Sequence, residues 1–191
     1  MTSVLKVTEI QDPTNSNSAL TIDSSGNVEI VKSSASASFS SGSTLIQPTT
    51  NGIPSWANEI KISFFDVSQA SSANVMFRAY VGGSVVTTNY QYTSTYFTNG
   101  TPTMSNRSGG SDGGFSFYGW TDPANTFSGT VTFTKVTDDY KYVAFGQYYN
   151  HAYGGYFMAL NGRVDLAGSI SGVDLYTSTN FDSGSARVIW R

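Results

Sequence analysis

From about Asn51 to Arg191, apolar and polar residues alternate in short runs that turn formers separate. Ile60, Ile62 and Phe64 alternate with Glu59, Lys61 and Ser63; Val75, Phe77, Ala79 and Val81 alternate with Met76, Arg78 and Tyr80, and Gly82-Gly83 ends that run. A period of two sends successive side chains to opposite faces of a strand, so such runs predict half-buried β-strands. Further strands are predicted over Val85–Tyr92, Phe115–Trp120, Gly129–Val136, Tyr140–Gly146, Tyr156–Leu160, Ile170–Thr177 and Ser185–Trp190. Helical periodicity, capping boxes, internal repeats and heptads are absent. Short strands joined by Gly-rich turns predict an all-β fold, a jelly-roll-like antiparallel β-sandwich preceded by a short extended N-terminal arm or hairpin.

Composition divides the chain into three zones: 1–31, 32–50 and 51–191. In the first, Ala19–Asp23 and Asn27–Ile30 flank Ser24-Ser25-Gly26 and predict a hairpin, with Gly26 supplying a positive φ. An isolated hairpin is marginal in water, so this zone is expected to gain order by docking on a partner or on other copies of the chain. Its apolar positions Val4, Leu5, Val7, Ile10, Leu20 and Ile22 are the candidate docking residues. The second zone opens with Ser33-Ser34-Ala35-Ser36-Ala37-Ser38 and reads either as a Ser-rich linker or as a polar edge segment. The third is the sandwich.

Charge and cysteine content narrow the function classes. Only 12% of residues are charged, against about a quarter in an average protein, and 14% are aromatic. Aromatics at that level supply the apolar surface a disordered chain lacks. Cysteine is absent, which excludes disulfides and thiolate metal sites. A net charge of −3 with singly scattered lysines argues against nucleic acid and against a polybasic membrane anchor. The first residues have no apolar core of a signal peptide, and no run approaches a membrane-spanning length. An extracellular-looking composition without export signal or disulfides fits a virion protein assembled in a bacterial host cytoplasm and released by lysis. It also fits a plain cytoplasmic β-domain.

No motif predicts catalysis. His151 is the only histidine, in the segment Gly146–Gly155 that reads as a loop, and no Gly-x-Ser-x-Gly elbow accompanies it. Asp112, Asp122, Asp138, Asp139, Asp165, Asp174 and Asp182 could supply a glycosidase pair, but most lie beside turn formers, and turn carboxylates are the simpler reading. There is no calcium loop, and the Gly-rich stretch Gly109–Gly114 lacks the lysine of a phosphate-binding loop. No catalytic residue, metal or cofactor is therefore expected. Tyrosine is the informative residue. Tyr90, Tyr92 and Tyr96 form one cluster, and Tyr140, Tyr142, Tyr148, Tyr149, Tyr153 and Tyr156 form another, in which Tyr148, Tyr149 and Tyr153 with Asn150 and His151 are the binding candidates. Tyr among Asn, Ser and Gly makes adaptable contact surfaces, because a rigid ring gives area at low entropic cost. Alternatively, the rings fill the sandwich or a subunit interface. If a receptor site exists, the 147–155 segment is expected to hold it.

Three segments resemble a known family. Asn51-Gly52-Ile53-Pro54-Ser55-Trp56-Ala57, running into Glu59–Phe65 and Asp66-Val67-Ser68, resembles the opening of a β-domain in tail-fibre and related virion proteins of tailed bacteriophages. Leu175-Tyr176-Thr177, then Asn180-Phe181-Asp182-Ser183-Gly184-Ser185 and a final strand to Trp190, is similar to that family's C-terminus. Leu5–Asp12 with Ala19–Val28 looks like the family's N-terminal segment. Physically, Pro54 sits in a turn before a strand, and Asp182-Ser183-Gly184 reads as an Asx-type turn feeding the last strand. The resemblance implies a non-enzymatic structural protein on the exterior of a tailed-phage virion, attached to capsid or tail proteins through its arm and assembled as a homotrimer. Only a Ser-rich stretch separates arm from body, which favours a capsid decoration (cement) protein or a short tail fibre. The competing reading is a carbohydrate- or receptor-binding module, contacting host surface glycan through Tyr-rich loops.

Overall fold

The computed structural model describes residues 9–11, 18–22, 28–30, 34–38, 44–45, 52–98, 101–103, 113–117, 123, 125–151 and 156–191, with backbone alone up to residue 45. The chain forms two compact units, Met1–Ser33 and Ser34–Arg191. In the first, β1 (Glu9–Gln11), β2 (Ser18–Ile22) and β3 (Val28–Ile30) make an antiparallel sheet in the order β1-β2-β3. The expected hairpin corresponds to β2–β3, and β1 adds a third strand. Register places Ile10, Leu20 and Ile30 in one cross-strand row. Val4, Leu5 and Val7, and the proposed turn at Gly26, lie outside the described residues, as do the side chains of Ile10, Leu20 and Ile22.

The second unit is an all-β sandwich of two antiparallel sheets. It opens with β4 (Ser34–Ser38) and β5 (Thr44–Leu45), then the long β6 (Glu59–Gln69), β7 (Val75–Val81) and β8 (Ser84–Val85). After these come β9 (Tyr90–Thr98), β10 (Thr101–Thr103), β11 (Phe115–Ser116), β12 (Phe127–Lys135) and β13 (Lys141–Asn150). The last three are β14 (Tyr156–Asp165), β15 (Ile170–Thr177) and β16 (Phe181–Trp190). The broad sheet has the order β10-β9-β14-β13-β12-β6-β16-β4; the narrow sheet is β11-β7-β15-β5, with β8 on β7.

The pairs β6·β16, β7·β15, β9·β14 and β12·β13 are nested in sequence, as they would be if one long hairpin were rolled up. That nesting underlies jelly rolls. The distribution between sheets is unequal, because β12 pairs with β6 and β13 with β14, gathering three of the four pairs into the broad sheet.

One alternative left open by the sequence is decided here, and one expectation changes. The Ser-Ala stretch forms an edge strand over Ser34–Ser38, paired residue for residue with Ser185–Ile189 of β16. Small residues permit this, since an edge strand needs its backbone groups satisfied on only one side. The Asp182-Ser183-Gly184 segment lies inside β16 instead of turning before it. There the β16–β6 register shifts, and Gly184 has φ +106°. A Cβ on Gly184 would stand 2.5 Å from Val67 Cα, so both conformation and space demand glycine.

The core is aromatic. Phe64 of the broad sheet meets Phe77 of the narrow one with centroids 5.6 Å apart. Phe115 packs edge-on against Tyr90 at 4.9 Å, and Phe117 edge-on against Tyr148 at 4.5 Å. Edge-to-face contacts suit the ring quadrupole and add to the gain from burial. Gly162 makes room for one of these rings, since a Cβ there would meet Phe115 Cε1 at 2.6 Å. On the far face of the narrow sheet, the fully buried Asp174 accepts Arg78 Nε at 2.9 Å, Arg78 Nη2 at 2.5 Å and Tyr80 Oη at 2.7 Å. The Arg78 guanidinium also stacks on Tyr176, 3.7 Å from the ring centroid. Asp174 is thus a mid-strand structural carboxylate in a paired network, and the turn reading of the sequence does not apply to it.

Candidate functional site

Strand β13 runs through Asn150, so most of the segment expected as a loop, up to His151, is strand or its immediate end. Strand parity then sorts the candidate residues. Tyr142, Ala144, Tyr148 and Asn150 are buried, whereas Phe145, Gln147 and Tyr149 are exposed. Four members of the predicted binding set are consequently not surface groups: Tyr148 is 1% exposed, Tyr90 2%, Tyr92 4% and Asn150 3%. The three tyrosine rings contact Phe residues of the core. Tyr90 Oη accepts the Ala79 backbone N–H at 2.9 Å and donates to the Val86 carbonyl at 3.1 Å. A phenol whose hydroxyl finds a buried partner behaves as a core residue. Burial raises the Tyr90 and Tyr148 hydroxyls well above the ordinary phenol range. Tyr96 belongs to β9, but its side chain lies outside the described residues, as does Tyr153 entirely.

Tyr149 and His151 remain at the surface, and the broad sheet supplies them with neighbours that the sequence reading missed. Register pairs Tyr149 with Phe157 and Phe157 with Phe97 across three adjacent strands. All three project from the outer face, 48%, 44% and 41% exposed respectively. The Phe97 and Phe157 rings lie 5.9 Å apart, and Tyr149 meets the His151 imidazole edge-on at 5.2 Å. The available signal was an aromatic on the polar parity of a strand: Phe157 beside the inward Met158, and Phe97 on the parity opposite Tyr90 and Tyr92.

A polar group closes the row. Ser128, cross-strand from Tyr149, places Oγ 3.0 Å from His151 Nε2 and 3.3 Å from Asp66 Oδ1. Asp66 donates its backbone N–H to the same Oγ at 3.0 Å, and its Oδ1 lies 3.4 Å from His151 Nε2. Asp66 reaches this position through a bulge in β6, with φ +49°. These are the residue types of a nucleophilic triad, but the arrangement is different. A triad needs the carboxylate on Nδ1 and the serine on Nε2, so that one nitrogen is oriented while the other accepts the proton. Here serine and carboxylate share one nitrogen.

Three of the other predicted carboxylates have local partners. Asp139 bonds Lys141 at 2.5 Å and the Thr137 hydroxyl, and these contacts hold its carboxyl near 2. Asp138 faces Lys135 at 3.7 Å, and Asp182 accepts the Ser68 hydroxyl. Asp112 and Asp122 lie outside the described residues. Among the described residues no group of three His, Asp or Glu could hold a metal ion, and no helix is long and apolar enough to cross a membrane. No family model matches the chain, nor does any curated protein or solved structure.

Proposed function

We propose that the chain is a non-enzymatic surface protein of a tailed-phage virion, a decoration protein or short fibre, whose broad sheet contacts host surface glycan. The observation that carries the contact is the exposed row Phe97–Phe157–Tyr149 in cross-strand register, ending on the His151–Ser128–Asp66 group. Flat rings accept the C–H faces of sugars, while a carboxylate, a hydroxyl and an imidazole nitrogen beside them accept and donate hydrogen bonds at the rim. The shared Nε2 supports binding over acyl transfer. The virion setting rests on the phage-like segments at Asn51–Ser68 and Leu175–Trp190. The separate N-terminal unit supports attachment through that end.

A glycan array probed with the labelled full chain tests the contact. Binding is expected for the wild type and lost in Phe157→Ala and Phe97→Ala, with Phe145→Ala, an exposed ring outside the row, as control. Absence of binding, or binding indifferent to both variants, removes the glycan role. Immunogold labelling of purified particles tests the setting: label on the head selects decoration and label on the tail selects a fibre. A particle without label removes the virion reading.

A further inference from the structure

The outer face of the broad sheet has a second feature, about 20 Å along β13 from Tyr149 at roughly 3.3 Å per residue. A cavity of 580 Å³ opens there, within the usual range for small-ligand sites of about 300–1,000 Å³. Val143, Arg163 and Gln91 line it from one cross-strand row. Val136 and Leu166 add apolar surface from the connections after β12 and β14.

The charges in this cavity are unevenly matched. Lys141 pairs with Asp139 at 2.5 Å and is attracted by Asp165 as well. Arg163 stands near enough to repel Lys141, and no carboxylate among the described residues pairs with it. Its partner is neutral: Arg163 Nε donates to Gln91 Oε1 at 2.7 Å, which orients the guanidinium plane and leaves the Nη hydrogens for another acceptor. Gln91 keeps its amide hydrogens as donors. Asn89 gives Nδ2 to the Asp165 carbonyl at 3.3 Å and keeps Oδ1 as an acceptor.

We propose that this cavity binds a small hydroxylated carboxylate, chemically a sugar acid, through a fork between the ligand carboxylate and Arg163. The Gln91 and Asn89 amides face its hydroxyls, and Val136, Val143 and Leu166 face its C–H groups. A planar carboxylate matches the guanidinium fork. A phosphate dianion is disfavoured, because Asp165 and Asp139 already hold the neighbouring ammonium. The cavity shares no residue with the aromatic row, so this site and the glycan row stand or fall separately.

Calorimetric titration of the full chain with sodium glucuronate, with glucose and inorganic phosphate as comparators, tests the assignment. Saturable binding of glucuronate at millimolar ligand is expected, with no heat from glucose. Arg163→Gln should weaken it by about tenfold or more, as loss of a charge-assisted hydrogen bond implies. Arg163→Lys should restore only part, and Tyr149→Ala should leave it unchanged. Glucose binding as tightly as glucuronate, phosphate binding more tightly, or glucuronate indifferent to Arg163→Gln would overturn the proposal.

Discussion

Tyr148 and Tyr149 are consecutive in the chain and stand on opposite faces of the broad sheet, one 1% and the other 48% exposed. Tyr148 packs edge-on against Phe117 and Phe127, at 4.5 and 5.3 Å between centroids, while Tyr149 extends the outer aromatic row. Tyr148→Ala should therefore cost about 3–5 kcal/mol, the usual loss for truncating a buried aromatic. Tyr149→Ala should stay within about 0.5 kcal/mol and abolish glycan binding instead. Urea unfolding of both variants checks the assignment, and equal losses would contradict the opposed facing.

Arg78 and Asp174 form a desolvated pair, with side chains 13% and 0% exposed. Removing one partner strands the other charge, so Arg78→Met should destabilise by about 3–5 kcal/mol. The double variant Arg78→Met, Asp174→Leu should recover much of that loss, because an apolar pair has no charge to desolvate. A double-mutant cycle of denaturation midpoints measures the coupling. Losses that simply add would show the pair to be independent.

Backbone conformation predicts opposite signs at two sites. Gly184→Ala places a Cβ against Val67 at a φ of +106°, and should cost more than about 1 kcal/mol. Tyr140 occupies φ +63° in the β12–β13 turn, where a side chain is strained by about 1–2 kcal/mol. Tyr140→Asn, a residue that tolerates this region, should raise the melting temperature. A lower melting temperature for Tyr140→Asn would mean that the ring's contact with Lys135, 5.2 Å away, outweighs the strain.

High pH should unfold the sandwich through its buried phenols. Burial, with the hydrogen bond to Asp174, pushes the Tyr80 hydroxyl up to about 12, and Tyr90 and Tyr148 are raised by burial as well. A phenol raised in the folded state contributes stability that is fully present below the unfolded value of about 10 and is lost as pH rises through its folded value. The urea midpoint should hold steady to about pH 10 and then fall, with tyrosinate absorbance rising in step with unfolding. A midpoint that climbs above pH 10 would reverse the sign.

Much of the architecture was legible because strand alternation is local. Val75–Val81 and Ile170–Thr177 form over the predicted residues, since short runs of strand-forming residues between turn formers have few alternatives. Where local signals conflicted, the reading failed. The run Val85–Tyr92 is cut at 86–89, where Asn89 takes a positive φ of 68°. Ser34–Ser38 read either as linker or as edge segment, and only the free side of β16 decides for the edge. Of the candidate site, Tyr149 and His151 were named from the sequence, whereas Phe97, Phe157, Ser128 and Asp66 were not. Nothing local connects Asp66 to His151; the bulge in β6 and the pairing of β12 with both β6 and β13 bring them together.

The sequence by itself determined that this chain is all-β and which residues along a strand share a face. It could not determine which face is the core where both parities carry tyrosine, because Tyr is amphipathic and satisfies either side. That choice fell to the tertiary structure. Phe115 and Phe117 from the opposite side of the sandwich took Tyr90, Tyr92 and Tyr148 as packing partners, and so left Tyr149, Phe157 and Phe97 to solvent. The aromatic row is the product of register between strands distant in sequence, which no single strand encodes.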